Sequence, residues 1–169
     1  HLPADFEDNL SEAEGIAREA QHDLVEIIDQ LRPSEDSPKT LGAMLQTAAE
    51  SLEKRLSTKI NVTIKTDLTV SPLMEVDLLR VVRELATNAV RHGKADTVSI
   101  LLSSKGDTVS LVISDDGQGF DTEAPRHGLG LRSVEHRVST FPDGVIEINP
   151  EPNSGTQILV SWKRVDDPR

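Results

Sequence analysis

The sequence predicts an α+β fold, a two-layer α/β sandwich with helices on one face of a mixed sheet, preceded by a long bundle-forming helix. Three patterns carry this. Apolar residues recur at three- and four-residue spacing in stretches around 41–56, 78–89 and 131–138, the signature of amphipathic helices. Apolar and polar residues alternate around 60–64 and 109–113, and further short strands fit 98–102, 145–148 and 157–162. The resulting order is helix, strand, helix, two strands, helix, two strands, which layers helices against a sheet.

Composition bounds the function. The chain has 169 residues, enough for one full domain plus an appendage. Aromatic residues make up only 2%, so the core is aliphatic and no platform exists for stacking single-stranded bases. A formal net charge of −11 repels nucleic acid, so a phosphate ligand needs local groups and a cation. With no cysteine, disulfides and thiolate metal sites are excluded, which fits a reducing, cytoplasmic setting. No apolar run reaches membrane-spanning length, so no membrane contact is expected of this stretch, though it reads as a fragment that a membrane segment could precede.

From the N-terminus, residues 1–9 read as an acidic lead-in. Leu10, Ala13, Ala17, Ala20, Leu24, Ile27 and Leu31 form a heptad seam that Ile16, Val25 and Ile28 widen. Such a broad face suits a helix bundle and needs a partner helix. Pro33 ends it, which divides the chain into 1–33 and 34–169. Ser37 and Pro38 read as cap and first residue of the next helix, whose apolar face is Leu41, Leu45, Ala48, Leu52 and Leu56. Ile60 to Ile64 is a strand. Ser71-Pro72 opens a second capped helix with Leu78, Val81, Val82, Leu85 and Ala89 on one face, ending at Gly93. Strands at 98–102 and 109–113 are joined by a turn at Lys105-Gly106-Asp107. A helix from Leu129 to about Ser139 carries Leu131, Val134 and Val138. Two closing strands follow, with Pro150 and Pro152 in the loop between them.

Three pieces within this frame carry chemistry. Glu84 and Asn88, four apart on one helix, point the same way from the shoulder of its apolar face. A carboxylate and a carboxamide there suit a hard cation such as Mg²⁺, which takes oxygen ligands and bridges them to phosphates. Arg91 and His92 in the last turn suit the helix dipole, which is the simpler reading, and could also lean over phosphates. Asp115, Gly117 and Gly119 follow a strand and read by themselves as a turn. Gly128 and Gly130 precede a helix, where backbone N–H groups can approach a phosphate.

Together these residues resemble the ATP-binding domain of sensor histidine kinases, within the GHKL superfamily that includes gyrase, the Hsp90 chaperone and MutL. Glu84 to His92 is similar to the N box, Asp115 to Gly119 to the first glycine box, Gly128 to Leu131 to the second, and Gly155-Thr156 to a fourth signature. The resemblance covers roughly residues 40–163. Leu-Arg-Pro at 31–33 and the eight residues between Gly119 and Gly128 look like the NarX/DesK-like branch, with a short lid over ATP. The fold so implied is the Bergerat-type sandwich.

The resemblance implies ATP and Mg²⁺ as cofactors. It gives Asn88 the metal and Glu84 the attacking group or a metal-bound water. Asp115 takes the adenine amino group, supported by Thr156. Arg91, His92, Gly117, Gly119, Gly128, Leu129, Gly130 and Leu131 lie around the nucleotide, and Arg126, His127 and Arg132 are further phosphate candidates. The implied reaction moves the γ-phosphoryl to a histidine on an upstream helix and then to a response-regulator aspartate, in a homodimer. His22-Asp23 looks like the family's acceptor, but the segment from Ile16 to Asp23 is one residue too long and Leu-Arg-Pro follows His22 by only nine residues. His22 therefore reads as a surface histidine, 10–32 as the second bundle helix, and the fragment as lacking its own phosphoacceptor. Two rivals share the boxes: a serine kinase of the anti-sigma-factor type, which lacks the heptad lead-in, and a non-catalytic ATP-binding signalling module.

Overall fold

A computed structural model describes residues 40–119, 129–151 and 154–164. The chain divides into two units, His1–Ser37 and Pro38–Arg169, and the described residues belong to the second. The heptad seam and His22 lie outside the described residues, as do Ser37, Pro38, Phe120, Arg126, His127, Gly128 and Pro152.

The elements are α1 (Leu41–Leu56), β1 (Lys59–Ile64), α2 (Pro72–Arg91), β2 (Thr97–Lys105), β3 (Thr108–Asp115), α3 (Leu129–Ser139), β4 (Val145–Glu151) and β5 (Gly155–Lys163). This is the order the periodicities predict. Cap chemistry sets the helix starts. Ser71 accepts a hydrogen bond from the Met74 amide at 3.3 Å, and Pro72 takes the first turn of α2, where its missing N–H has no helical partner to lose. Helix α1 is capped by Thr40, whose hydroxyl accepts from the Ala43 amide at 3.4 Å, three residues beyond the cap expected at Ser37. The apolar run begins at Leu41, so the hydroxyl directly before it is the one that can reach the orphan amides.

The sheet order is β1-β2-β3-β5-β4. β1 pairs with β2 in parallel, and the remaining pairs are antiparallel, so the sheet is mixed as expected. A parallel pair needs a crossover, and α2 supplies it between β1 and β2. The turn from β2 to β3 is made by Gly106 and Asp107, with Gly106 at φ +58°, a conformation that suits a tight hairpin and favours glycine. β4 runs through Pro150, which was expected in a loop. Proline cannot donate to a ladder, but β4 lies at the sheet edge, where it pairs on one side only.

One face of the sheet is covered. Val98, Ile100 and Leu102 of β2, Val109, Leu111 and Ile113 of β3, and Ile158, Val160 and Trp162 of β5 are buried. They meet Leu41, Leu45 and Leu52 of α1, Leu78, Val81, Val82, Leu85 and Ala89 of α2, and Val134 and Val138 of α3 in one core. The alternate residues Ser99, Gln157 and Lys163 are exposed. Trp162 and Phe141 meet edge to face, ring centroids 6.0 Å apart, in an otherwise aliphatic interior. Arg137 of α3 bonds Asp77 of α2 at 3.1 Å and ties these helices together. Among the described residues no helix is long and apolar enough to cross a membrane.

Trp162 is 2% exposed. Trp162→Ala is therefore expected to lower the unfolding free energy by about 3–5 kcal/mol, measured by urea denaturation followed by circular dichroism.

Candidate functional site

The strand order brings the chemical groups to one end of the sheet. Helix α2 returns the chain to the start of β2. Because β2 and β3 are antiparallel, that start lies beside the end of β3, with Val98 opposite Asp115. Because β3 and β5 are also antiparallel, the end of β3 lies beside the start of β5, with Ser114 opposite Gln157. Residues from three strands and the last turns of α2 thus share one edge.

On α2, the Asn88 side-chain amide donates to Glu84 Oε1 at 3.0 Å. A carboxylate only accepts here, so the NH₂ side of Asn88 must face it, which turns the Asn88 carbonyl oxygen away from Glu84. Gly130, in the first turn of α3, lies against this pair. A Cβ on Gly130 would overlap Glu84 Oε1 and come within 3.4 Å of Asn88 Nδ2. Gly130 is glycine because the Glu84 carboxylate occupies the space of a side chain.

Helix α2 ends at Arg91, two residues before Gly93. The His92 and Gly93 amides both donate to the Asn88 backbone carbonyl, at 2.9 and 3.1 Å, and Lys94 takes a positive φ of 56°. Lys94 Nζ donates to the Arg91 carbonyl at 2.9 Å, a cation on the negative end of the helix. Arg91 and His92 are exposed.

Asp115 closes β3. Its carboxylate accepts from the Gly117 amide at 2.9 Å. Burial pushes its carboxyl above the ordinary value, opposed by the Gly117 and Thr156 amides and reinforced by the charge of Asp116. Gly155 stands at φ +88°, and a Cβ there would overlap the Asp115 carbonyl. The fourth signature is thereby brought against the first glycine box, and Thr156 meets Asp115 through its backbone. Gly119 has φ +62°. Gly117 is buried, and a Cβ on it would overlap the Gly93 carbonyl, so its glycine answers a close approach within the chain itself.

Asp116 is not among the residues to which the sequence assigns a role. Its Oδ1 accepts from the Asp96 and Thr97 amides at 2.9 and 2.8 Å. Chiefly the Thr97 amide, with that of Asp96, holds its carboxyl below the usual range. An aspartate before glycine is a known acceptor for nearby amides, but these amides lie 19 and 20 residues away in sequence.

Of the predicted residues, the structure brings Glu84, Asn88 and Gly130 together, and separately Asp115, Gly117 and Thr156. Gly93 joins the end of α2 to the glycine box, because Gln118 donates to its carbonyl at 2.7 Å. Leu131 is half-buried against the core, and Leu129 opens α3. Arg132 is exposed. Gly128 lies outside the described residues. Among those described, no group of three His, Cys, Asp or Glu side chains forms a metal cluster.

The fold and this edge define an α+β sandwich whose polar groups converge where one helix end meets three strand ends. The family model described as "Histidine kinase-, DNA gyrase B-, and HSP90-like ATPase" matches residues 74–166, and the chain belongs to that family. It is 32% identical to the sensor histidine kinase LiaS of Bacillus subtilis over 148 residues, 87% of this chain and 41% of that protein. It is 28% identical to the sensor protein VraS of Staphylococcus haemolyticus over 169 residues, 98% of this chain and 48% of that protein. The chain spans less than half the length of both curated relatives. Among solved structures, the Acinetobacter baumannii histidine kinase AdeS shares the fold at a TM-score of 0.66 and 20% identity, over 95% of this chain and 84% of that one. The histidine kinase domain of Erythrobacter litoralis EL346 does so at 0.65 and 24%, over 86% and 71%.

A carboxyl whose folded-state pKa is raised favours folding below its unfolded value, and that contribution is lost as pH rises through the folded value. Ionised Asp115 is therefore a net cost around neutral pH. Asp115→Asn is expected to melt higher than the parent around pH 7, with the gap narrowing toward about pH 4, by scanning calorimetry without nucleotide. Asp116 has the opposite sign: its contribution is present above the unfolded value and lost as pH falls through the lowered one.

Proposed function

We propose that this chain is the ATP-binding catalytic portion of a two-component sensor histidine kinase. The carrying observation is the convergence of the Glu84–Asn88 pair, Asp115 and Gly155-Thr156 at one end of the sheet. Family membership and the names of the relatives LiaS and VraS support the same reading.

Asp115 is the base-recognition group. Its carboxylate accepts a hydrogen bond from the exocyclic amine of adenine, and guanine presents a carbonyl at that position, which the carboxylate repels. The Gly117 and Thr156 amides hold the carboxylate in place. Arg91, His92, Gly119, Gly128, Leu129, Gly130 and Leu131 are assigned to the remainder of the nucleotide.

The Asn88 side-chain carbonyl oxygen, turned outward by the Glu84 carboxylate, is the protein oxygen that would hold Mg²⁺, an ion that prefers few protein ligands beside phosphate and water. When bound, the ion would offset the negative charge of the phosphates. Glu84 has two roles here: it fixes which side of the Asn88 amide faces the ion, and it holds a water or takes the proton released at the attacking histidine.

In the transfer, a histidine nitrogen of a dimerisation helix attacks the γ-phosphorus in line. A nitrogen–phosphorus bond forms, the bond to the bridging oxygen breaks, and ADP leaves with the electron pair. A response-regulator aspartate then takes the phosphoryl as the nitrogen–phosphorus bond breaks. Residues 1–33, with their heptad seam, are the part of this chain assigned to the dimerisation bundle, which pairs with the upstream helix and a second subunit.

Calorimetric titration tests the binding reading. The parent is expected to prefer ATP to GTP and to bind ATP more tightly with Mg²⁺. Asn88→Ala is expected to lose about tenfold or more of affinity for Mg²⁺–ATP while binding metal-free ATP nearly as the parent does. Equal affinity of parent and variant for Mg²⁺–ATP would remove Asn88 from the metal site.

A further inference from the structure

We propose that Asp116 is a positioning residue that sets the preference for adenine, by locking the loop after β3 onto the turn before β2. It rests on the adenine reading of Asp115 and adds a group that never touches the nucleotide.

The geometry is a clamp between two segments far apart in the chain. The Asp116 carboxylate accepts from the Asp96 and Thr97 amides at 2.9 and 2.8 Å. The Asp116 amide donates back to the Thr97 carbonyl at 3.3 Å, and the Gln118 amide donates to the Gly93 carbonyl at 2.7 Å. Four hydrogen bonds thus hold residues 116–118 against residues 93–97. Between them sits Gly117, buried, its Cα so close to the Gly93 carbonyl that no side chain fits. Its amide donates at 2.9 Å to the carboxylate of Asp115.

The direction of the Asp115 carboxylate follows from where the Gly117 amide stands, and that amide stands where Asp116 pulls the loop. The Asp116 side chain is exposed and its bonds go to Asp96 and Thr97, so its influence on the nucleotide passes through position alone. Without the two amide bonds to Oδ1, residues 116–118 lose half of their ties to residues 93–97. Asp115 then samples directions in which a guanine carbonyl is less strongly refused and an adenine amine less well received.

A ratio of two affinities measured on one protein is independent of the folded fraction, so it separates positioning from stability. The full 169-residue chain is titrated with Mg²⁺–ATP and Mg²⁺–GTP, as parent, Asp116→Ala, Asp116→Asn and Asp116→Glu. Asparagine keeps an acceptor oxygen at the same reach, and glutamate moves it one methylene outward. The ATP-to-GTP affinity ratio is expected to fall about tenfold in Asp116→Ala and in Asp116→Glu, and to stay within about twofold of the parent in Asp116→Asn. If Asp116→Ala does not fold, the asparagine and glutamate variants decide. An unchanged ratio in Asp116→Glu, or a ratio lost equally in Asp116→Asn, overturns the positioning role while leaving the adenine reading intact. A parent that does not prefer ATP overturns both.

Discussion

The constraint on which the site depends is the parallel pairing of β1 with β2. Parallel neighbours cannot be joined by a tight turn, so the chain must cross the sheet, and it does so as α2. The crossover delivers the C-terminal end of α2, with Glu84 two turns and Asn88 one turn before it, to the end of the sheet where β2 begins. The antiparallel neighbours then supply the rest at that edge: Asp115 leaving β3, and Gly155 and Thr156 entering β5. Groups spread over more than seventy residues of sequence meet because the strands alternate direction.

Glycine holds the meeting together in three places. Gly130 yields its side-chain space to the Glu84 carboxylate, Gly117 to the Gly93 carbonyl and Gly155 to the Asp115 carbonyl. Each marks a contact between segments that any larger residue would push apart. Glycine boxes are ordinarily read as room for a ligand, yet these contacts are all internal. They fix the distance between the carboxamide on the helix and the carboxylate on the strand before any ligand arrives. The burial that raises Asp115 above its ordinary value belongs to the same arrangement, since a carboxyl closed in by neighbouring backbone is also partly removed from water.

Much of this was legible in the sequence. The five apolar positions assigned to α2 are all buried, and Ser71-Pro72 starts that helix as its chemistry requires. Order and type of the elements follow from periodicity, because burial on one face imposes a repeat on the residues. The grouping of Glu84 with Asn88 needed only helical spacing. What escaped were facts about register. The partners of Asp116 are amides 19 and 20 residues away, and a backbone amide leaves no mark in the sequence. Pro150 looked like a loop residue because a strand interior would reject it, and the sheet edge that accepts it is known only from the strand order. The start of α1 was expected at Ser37-Pro38, and the observed cap is Thr40, the hydroxyl adjoining the apolar run.

The central claim is that one ligand spans both halves of this edge, phosphates and metal at Asn88, base at Asp115. Titration of the ¹⁵N-labelled chain with a non-hydrolysable Mg²⁺–ATP analogue, followed by amide resonances, tests it directly. The account requires the Asn88 side-chain amide and the backbone amides of Gly117 and Thr156 to shift together, along one binding curve. Shifts confined to one of these groups, or following separate curves, would mean that the two halves do not form a single nucleotide site.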